Sequence, residues 1–587
     1  MIDKAKIQLN KSDSYQLGAS PIANVGCHFA LASEAPKINL VLYKAVGTEP
    51  ELVIPLDESF KTGDVFSVDV IGANLKNYLY RYEYSHITVL DPYATGLAGC
   101  PGFTERSGDR YGIIGNDTFD WSGDISPAIS KDELILYRLH VRNFTKSRTS
   151  GVKKKGTFAG LAEKIPYLKD LGVNAVELMP AYEFEDRQEN GVRNCWGYAG
   201  GMYMAPKAAY CATYGTRKDY TAEVKNMVKT FHAAGMEVIL EFFFPAATSA
   251  GVVDDCIRHW KKNYHIDGVH LIGDERIRMV LAQDPYLKDL KLFYTNWYQD
   301  ISNRNLYEYH EGFSQVARRL LKGDEDQIQQ FMDAFRRNPE HAGSVNYITT
   351  NNGFTLMDLV SYDRKHNEDN GEGNRDGADY NLSWNHGVEG PTKSRKITAL
   401  RNKSRMNAMT MLLMAQGVPM IYAGDEFGNS QNGNNNAYCQ DNETSWVNWN
   451  GLKKDESFYR FVKQLIAFRK EHKVLHMPHE TYLTDYRYYG LPDISYHGSR
   501  AWYPDLVHYS RQVGILLCGR YAGEEEDVYI GFNLHWEEHE LALPTVPGKR
   551  WQVAFGTDEG KKVEIDEQKH FKLSPRSIVV LTDVKNS

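Results

Sequence analysis

The sequence contains no uninterrupted run of about 18 apolar residues, the length a bilayer span requires, and the opening MIDKAKIQLNKSDSYQLG carries no apolar stretch after its lysines. No membrane is expected as a partner, and a cytoplasmic location follows. Cysteine is sparse and unpatterned: seven residues, at 27, 100, 195, 211, 256, 439 and 518, with no C-x-x-C pair. An odd, scattered set excludes a disulfide framework and a zinc cluster and predicts reduced thiols that are mostly buried. No set of oxygen ligands has calcium-loop spacing, so neither a metal nor another cofactor is expected. Excess positive charge is also lacking, with 68 basic against 76 acidic residues and a formal charge of −8. Nucleic acid is therefore not an expected partner.

What is present is length and apolar content: 587 residues, 42% hydrophobic and 12% aromatic, enough for three or four domains. Residues 1–100 alternate apolar and polar side chains in short runs such as INLVLYKA from Ile38 and DVFSVDVIG from Asp64, predicting a β-sandwich. A connecting segment, 101–130, follows. Over 131–486 short apolar runs alternate with helical stretches, the mark of an α/β class built from β/α units around a parallel sheet. Seven strands are named by LILYRLHV (134–141), AVELMP (175–180), EVILEFFF (237–244), DGVHLIG (267–273), LKLFYTNW (290–297), SVNYITTNN (344–352) and VPMIYAGDE (418–426), with an indistinct one near 300–340. Phe158, Leu161, Ile165 and Leu168 form one helical stripe, and Val224, Met227, Val228 and Phe231 another. Alternation returns over 487–587 in VGILLCGRY, DVYIGFNLH and SIVVLTD, a second β-sandwich.

LYRLHVRNFT (136–145), GTFAGLAEKIPYLKDLGVNAVELMPAYEF (156–184), WGYAGGMYMAPKAAY (196–210) and GDEFGNSQNGNNNAYCQDNETSWVNW (424–449) resemble the isoamylase and bacterial glycogen-debranching branch of glycoside hydrolase family 13. The N-terminal segment, closing in DPYATGLAG (91–99), resembles the family 48 carbohydrate-binding module that precedes such barrels. The resemblance implies a (β/α)8 TIM barrel between the two sandwiches, with the site at the carboxyl ends of its strands. It also implies action on α-1,6 branch linkages of glycogen-type glucans. That retaining chemistry uses an Asp nucleophile after strand four, a Glu acid/base after strand five and a third Asp after strand seven.

Retaining hydrolysis needs two carboxyl groups about 5 Å apart, one to attack and one to protonate the leaving oxygen. Where the family's fourth strand reads Asp-Gly-Phe-Arg-Phe-Asp, this chain keeps Asp267 and Gly268 but continues Val269, His270, Leu271, Ile272. The nucleophile position is thus Ile272, and the orienting Arg is His270. The acid/base position is Thr295, within Tyr294-Thr295-Asn296-Trp297, and the third carboxylate is replaced by Asn352, within Asn351-Asn352-Gly353. Strand three ends in Glu241 with Pro245 and Ala246 replacing the usual Asn-His, and only TSAGVV (248–253) follows where the family inserts a long pocket-walling loop. Losing even one member of a cooperating set costs roughly four to six orders of magnitude in rate. The expectation is a catalytically inactive, pseudoenzyme-like relative.

Such a protein would bind α-glucan, glycogen or maltooligosaccharide, or support an active debranching enzyme in a homo- or hetero-oligomer. Tyr198 matches the family tyrosine that stacks on glucose; Trp196, Asn435 and Asn436 are further substrate-binding candidates, beside Asn434, Tyr438, Gln440 and Asp441. Trp196 and Tyr198 equally suit packing between strand and loop, and amides commonly brace loops. Glu241, Asp274 and Glu275 are the candidate relocated carboxylates for a weak or altered hydrolase, Glu241 being also a charge partner for His270. His140 fits a structural role better than a binding one. A third reading is a structural subunit of a hetero-oligomer that no longer touches sugar.

Overall fold

A computed structural model describes residues 2–585 apart from 13, 15, 106–107, 116–118, 188–190, 214–219, 274, 298–300, 302–303 and 559. The chain opens with two facing antiparallel sheets. Strands Gln8–Lys11, Val65–Ile71, Gly26–Ala32 and Gly18–Ile22 follow one another across the first, and Leu97–Ala98, Tyr111–Ile113, Leu79–Tyr84, Ile38–Tyr43 and Leu52–Leu56 across the second. Alternation pays its way here: Phe29, Leu40, Leu42, Phe66, Val68 and Val70 are buried together between the sheets. Tyr111–Ile113 lies inside the segment expected to be a connector. Three residues are too few to show a period, and Tyr111 is recruited by packing edge-on against Tyr43 at 4.9 Å.

Eight parallel strands then close into a barrel: Leu136–Leu139, Ala175–Leu178, Glu237–Phe244, Gly268–Gly273, Lys291–Tyr294, Leu306–Tyr309, Gly343–Tyr347 and Val418–Tyr422. Every predicted strand is among them. The indistinct sixth is Leu306–Tyr309, whose Glu308 interrupts the apolar pattern because it accepts the Trp297 amide at 2.7 Å and meets Arg337 at 3.0 Å. The register of strand four is anchored from below, where the buried Asp267 accepts the Val238 amide (2.8 Å) and the Ser126 hydroxyl (2.5 Å). Gly268 is required at the next position, since a Cβ there would lie 2.9 Å from the Lys291 carbonyl.

The first apolar stripe is split between two short helices, Phe158–Ala162 and Ile165–Leu171, with Pro166 in the opening turn of the second, where a missing N–H costs nothing. All four stripe residues are nevertheless buried. The second stripe forms one helix, Thr221–Ala233, buried along Val224, Met227, Val228 and Phe231. After strand three the chain enters helix Ala250–Tyr264 almost at once.

The chain closes with a five-stranded sheet in the order Ile494–His497, Gln512–Leu517, Val528–Asn533, Ser577–Lys585, Lys549–Gly556, and a three-stranded sheet formed by His539–Ala542, His570–Leu573 and Ile565–Asp566. Leu516, Tyr529, Leu541, Phe571 and Leu581 fill the space between them. The seven cysteines form no disulfide with one another, and among the described residues no helix is long and apolar enough to cross a membrane.

Candidate functional site at the barrel mouth

The barrel interior is stratified. Its lower part is apolar, filled by Leu136, Ala175, Ile239, Phe293, Tyr307, Val345, Val418 and Met420. One step toward the carboxyl ends, Arg138, Glu177, Glu241, His270 and Tyr309 form a polar layer. Register places them there: Arg138 lies opposite Glu177, and Glu241 opposite His270, on adjacent strands.

The Arg138 guanidinium is at the centre. Its Nη1 donates to Glu177 and its Nη2 is ion-paired with Glu241, both carboxylates being fully enclosed. Nε and Nη2 reach Asn351 Oδ1 at 3.2 and 3.1 Å, and Nη2 also donates to the Tyr198 hydroxyl at 3.2 Å. His270 Nδ1 lies 2.8 Å from Glu177 and 3.6 Å from Glu241, and its ring stacks on Tyr309 at 4.3 Å. Tyr309 donates its hydroxyl to the second oxygen of Glu177.

The electrostatics follow from this geometry. Burial alone would raise the Glu177 pKa, but Arg138 first, then His270 and the hydrogen bonds, outweigh it and hold the group at about 2. Burial likewise works against the Arg138 charge, yet Glu241 and Glu177 keep its pKa well above the usual arginine range. Glu177, Glu241 and His270 converge closely enough to suggest a cation site, with ligand atoms within 4.8 Å of one another. A guanidinium in contact with both carboxylates already supplies the positive charge that an ion would bring.

The positions that the resemblance aligns with the catalytic residues lie around this layer. His270 faces the barrel axis, so Ile272, two residues on, points to the same side one level higher, where it is half-buried. Thr295 is exposed just beyond strand five, and Asn352 is exposed beyond strand seven. It is the preceding Asn351, buried, that enters the polar layer, its Nδ2 donating to the Tyr198 hydroxyl at 3.1 Å. Of the candidate relocated carboxylates, Glu241 is committed to Arg138, with His270 as a second neighbour. Glu275 starts a helix at the surface, 3.7 Å from Arg278, and Asp274 lies outside the described residues. Glu241 and Glu275 are not brought together.

Tyr198 is partly open, as is Tyr438, and its hydroxyl ties it to the polar layer. Trp196 is 5% exposed and packs on Met179 and Ala437, with Tyr198 and Tyr438 against it. The amides brace two rim loops against each other. Asn435 Nδ2 donates to the Ala378 carbonyl and to Asn381 Oδ1, each at 2.8 Å, while its carbonyl accepts the Gly353 amide at 2.9 Å. Asn436 Nδ2 donates to Asp376 at 3.0 Å, Asn434 to Asn370 at 2.9 Å, and Gln440 to the Asp369 carbonyl at 2.9 Å. Tyr438 donates to Glu372, and Asp441 accepts both Arg142 Nε and Nη2 at 2.8 Å. His140 is structural: Nδ1 accepts the Asn143 amide and Nε2 donates to the Cys195 carbonyl at 2.8 Å.

Arg138, Glu177 and Tyr309 were not among the residues singled out from sequence. The signal was an ionisable side chain in the middle of two consecutive apolar strands, which costs several kcal/mol unless the charges meet.

A closed eight-stranded parallel barrel between antiparallel sheets, with its polar layer at the carboxyl ends, has the architecture of α-glucan-processing hydrolases. The alpha-amylase catalytic-domain family matches residues 138–266. A glycogen operon protein GlgX homologue of Mycobacterium tuberculosis is 32% identical, over 79% of this chain and 79% of the relative. The chain belongs to the isoamylase and glycogen-debranching branch of that family. Isoamylase 1 of rice, Oryza sativa subsp. japonica, a chloroplastic protein, is 29% identical over 94% of this chain and 82% of its own length. The fold is shared with a pullulanase from Paenibacillus barengoltzii solved with maltohexaose and alpha-cyclodextrin, at a TM-score of 0.73, 19% identity and coverage of 98% and 96% of the two chains.

Proposed function

We propose that this protein is a catalytically inactive member of the debranching family that binds α-glucan and acts in glycogen metabolism beside an active debranching enzyme. The observation that carries the reading is the enclosed Arg138–Glu177–Glu241 cluster, above which stand Ile272, Thr295 and Asn352. Hydrolysis needs one carboxylate free to attack and another free to give up a proton. Glu177 is held ionised at about 2, too acidic to protonate a leaving oxygen near neutrality, and both acids are shielded from a sugar by their own counter-ion. Tyr198, half-open above the cluster, is the stacking surface that a glucan end would use. Seven cysteines that form no disulfide with one another agree with a reducing, cytoplasmic setting.

Two assays on the full-length protein test this. A reducing-end assay on glycogen and amylopectin is expected to show no product, and affinity electrophoresis in gels containing the same glucans is expected to show retardation. Product formation abolished by Glu241→Gln would replace the reading by a relocated hydrolase. Migration unaffected by glucan, alone and with an active relative, would leave only the structural-subunit role.

A further inference from the structure

A second group of chemistry-bearing side chains lies far along the chain from the barrel mouth, on the C-terminal sheets. Between strands Val528–Asn533 and His539–Ala542 the chain reads His535-Trp536-Glu537-Glu538-His539. We propose that His535, Glu537 and His539 form a binding site for a divalent transition metal of the zinc class.

Geometry carries the proposal. The three residues are spaced i, i+2, i+4 across the turn that leads into strand His539–Ala542. Here they converge, with ligand atoms all within 4.8 Å of one another. Ligands on a tetrahedral zinc ion, at about 2.0–2.1 Å each, stand roughly 3.3 Å apart, so closure asks for an inward movement of an ångström or two. Glu537, exposed, has the freedom to supply it. The two imidazoles are already in contact, edge to face at 4.6 Å, and His535 is braced by stacking on Trp536 at 4.1 Å. His539 Nε2 is enclosed and makes no hydrogen bond, although an enclosed imidazole nitrogen ordinarily finds one.

The ligand type is right for this class of ion. Two imidazoles with one carboxylate suit zinc, and next to it nickel and copper, with a fourth position left for water. Imidazole must be neutral to ligate. The Glu537 amide donates to His535 Nδ1 at 3.0 Å, so an ion bound through that nitrogen would take the place of this hydrogen bond. The adjacent acids are engaged elsewhere, Glu538 with Lys561 at 3.1 Å and Glu540 with His570 at 3.6 Å. Arg511, whose guanidinium lies over Trp536 at 4.8 Å, opposes a cation, and Glu537 is the charge that offsets it. A bound ion would clamp the loop joining the two sheets.

Isothermal titration of the full chain with zinc chloride tests the site, with Trp536 as an internal reporter. Wild type should bind one equivalent. His539→Ala should weaken binding by roughly tenfold or more, and the double variant His535→Asn with His539→Asn should abolish it while the far-ultraviolet spectrum is unchanged. Nickel should quench part of the tryptophan fluorescence, and Trp536→Phe should remove that quenching while zinc still binds. Zinc affinity equal in wild type and the double variant would overturn the proposal, as would the absence of saturable heat or of Trp536-dependent quenching.

Discussion

Arg138→Met isolates what the guanidinium does. The substitution keeps an unbranched side chain of similar reach and leaves Glu177 and Glu241, both fully enclosed, facing each other with only His270 to compensate. Breaking a buried ion pair by removing one partner costs about 3–5 kcal/mol, because the remaining charge stays desolvated. For a barrel-sized unit, at about 2 cal/mol/K of unfolding entropy per residue, that is a fall in melting temperature of roughly 5 °C. The deficit should depend on pH in a definite direction. Without Arg138 the burial that raises the Glu177 pKa is no longer outweighed and its folded-state value moves up toward and past the unfolded value of about 4.3, so the penalty is largest at neutral pH and is relieved as pH falls toward 5. Converting all three groups, with Glu177→Gln and Glu241→Gln added, should recover most of the loss, since an uncharged layer has no desolvation to repay. Calorimetric melts of the three proteins at pH 7 and pH 5 provide the measurement. An Arg138→Met variant within about 1 kcal/mol of wild type at pH 7, or one that is worse at pH 5 than at pH 7, would refute the account of the cluster.

Other expectations follow from the same structure. On the proposed reading, in which Ile272 and Thr295 stand at the nucleophile and acid/base positions, Ile272→Asp alone should release no reducing ends from glycogen; turnover above a mock preparation would refute the proposed place of Thr295. Tyr198→Ala should weaken glucan retardation by roughly 3- to 10-fold, the worth of one aromatic stacking surface, whereas Tyr198→Phe, which keeps the ring and loses the hydroxyl contacts to Arg138, Asn351 and Glu241, should bind nearly as wild type. Equal loss in both would assign the effect to the hydroxyl. His140, buried and neutral, has its pKa lowered to about 4, so the unfolded chain takes up the proton first and stability falls as pH drops from about 6.5 toward 4. Relative to His140→Gln, wild type should lose about 1.4 kcal/mol per pH unit across that window in denaturant titrations, and parallel pH profiles would exclude the assignment.

The strands were legible because a barrel buries them on both faces, leaving short apolar runs at βα spacing. The sixth escaped since Glu308 sits mid-strand, and Tyr111–Ile113 because three residues carry no period. At the site, the flanking anchors such as Asp267-Gly268 put Ile272, Thr295 and Asn352 at or beyond the carboxyl ends of their strands, where the structure also has them. The polar layer was not, because a charged side chain inside an apolar run acquires its meaning only from what stands opposite it. Arg138 on strand one finds Glu177 on strand two through pairing and Glu241 on strand three across the barrel interior, both products of closure rather than of local sequence. The rim asparagines show the converse: their types suited sugar hydroxyls, and tertiary structure spent those same donors on joining two loops.

The contact between the Gly353 amide and the Asn435 carbonyl bears on how the molecule ages. An Asn-Gly step at an exposed position is where chains spontaneously lose ammonia, through attack of the glycine nitrogen on the side-chain carbonyl of the residue before it. Here the proton of that nitrogen is held by a neighbouring loop and its direction is fixed, so the cyclic imide has no ready path and Asn352 should persist as an amide through the lifetime of the protein. The brace that shapes the rim thereby also guards it against drifting back, by slow chemistry, toward an acidic residue.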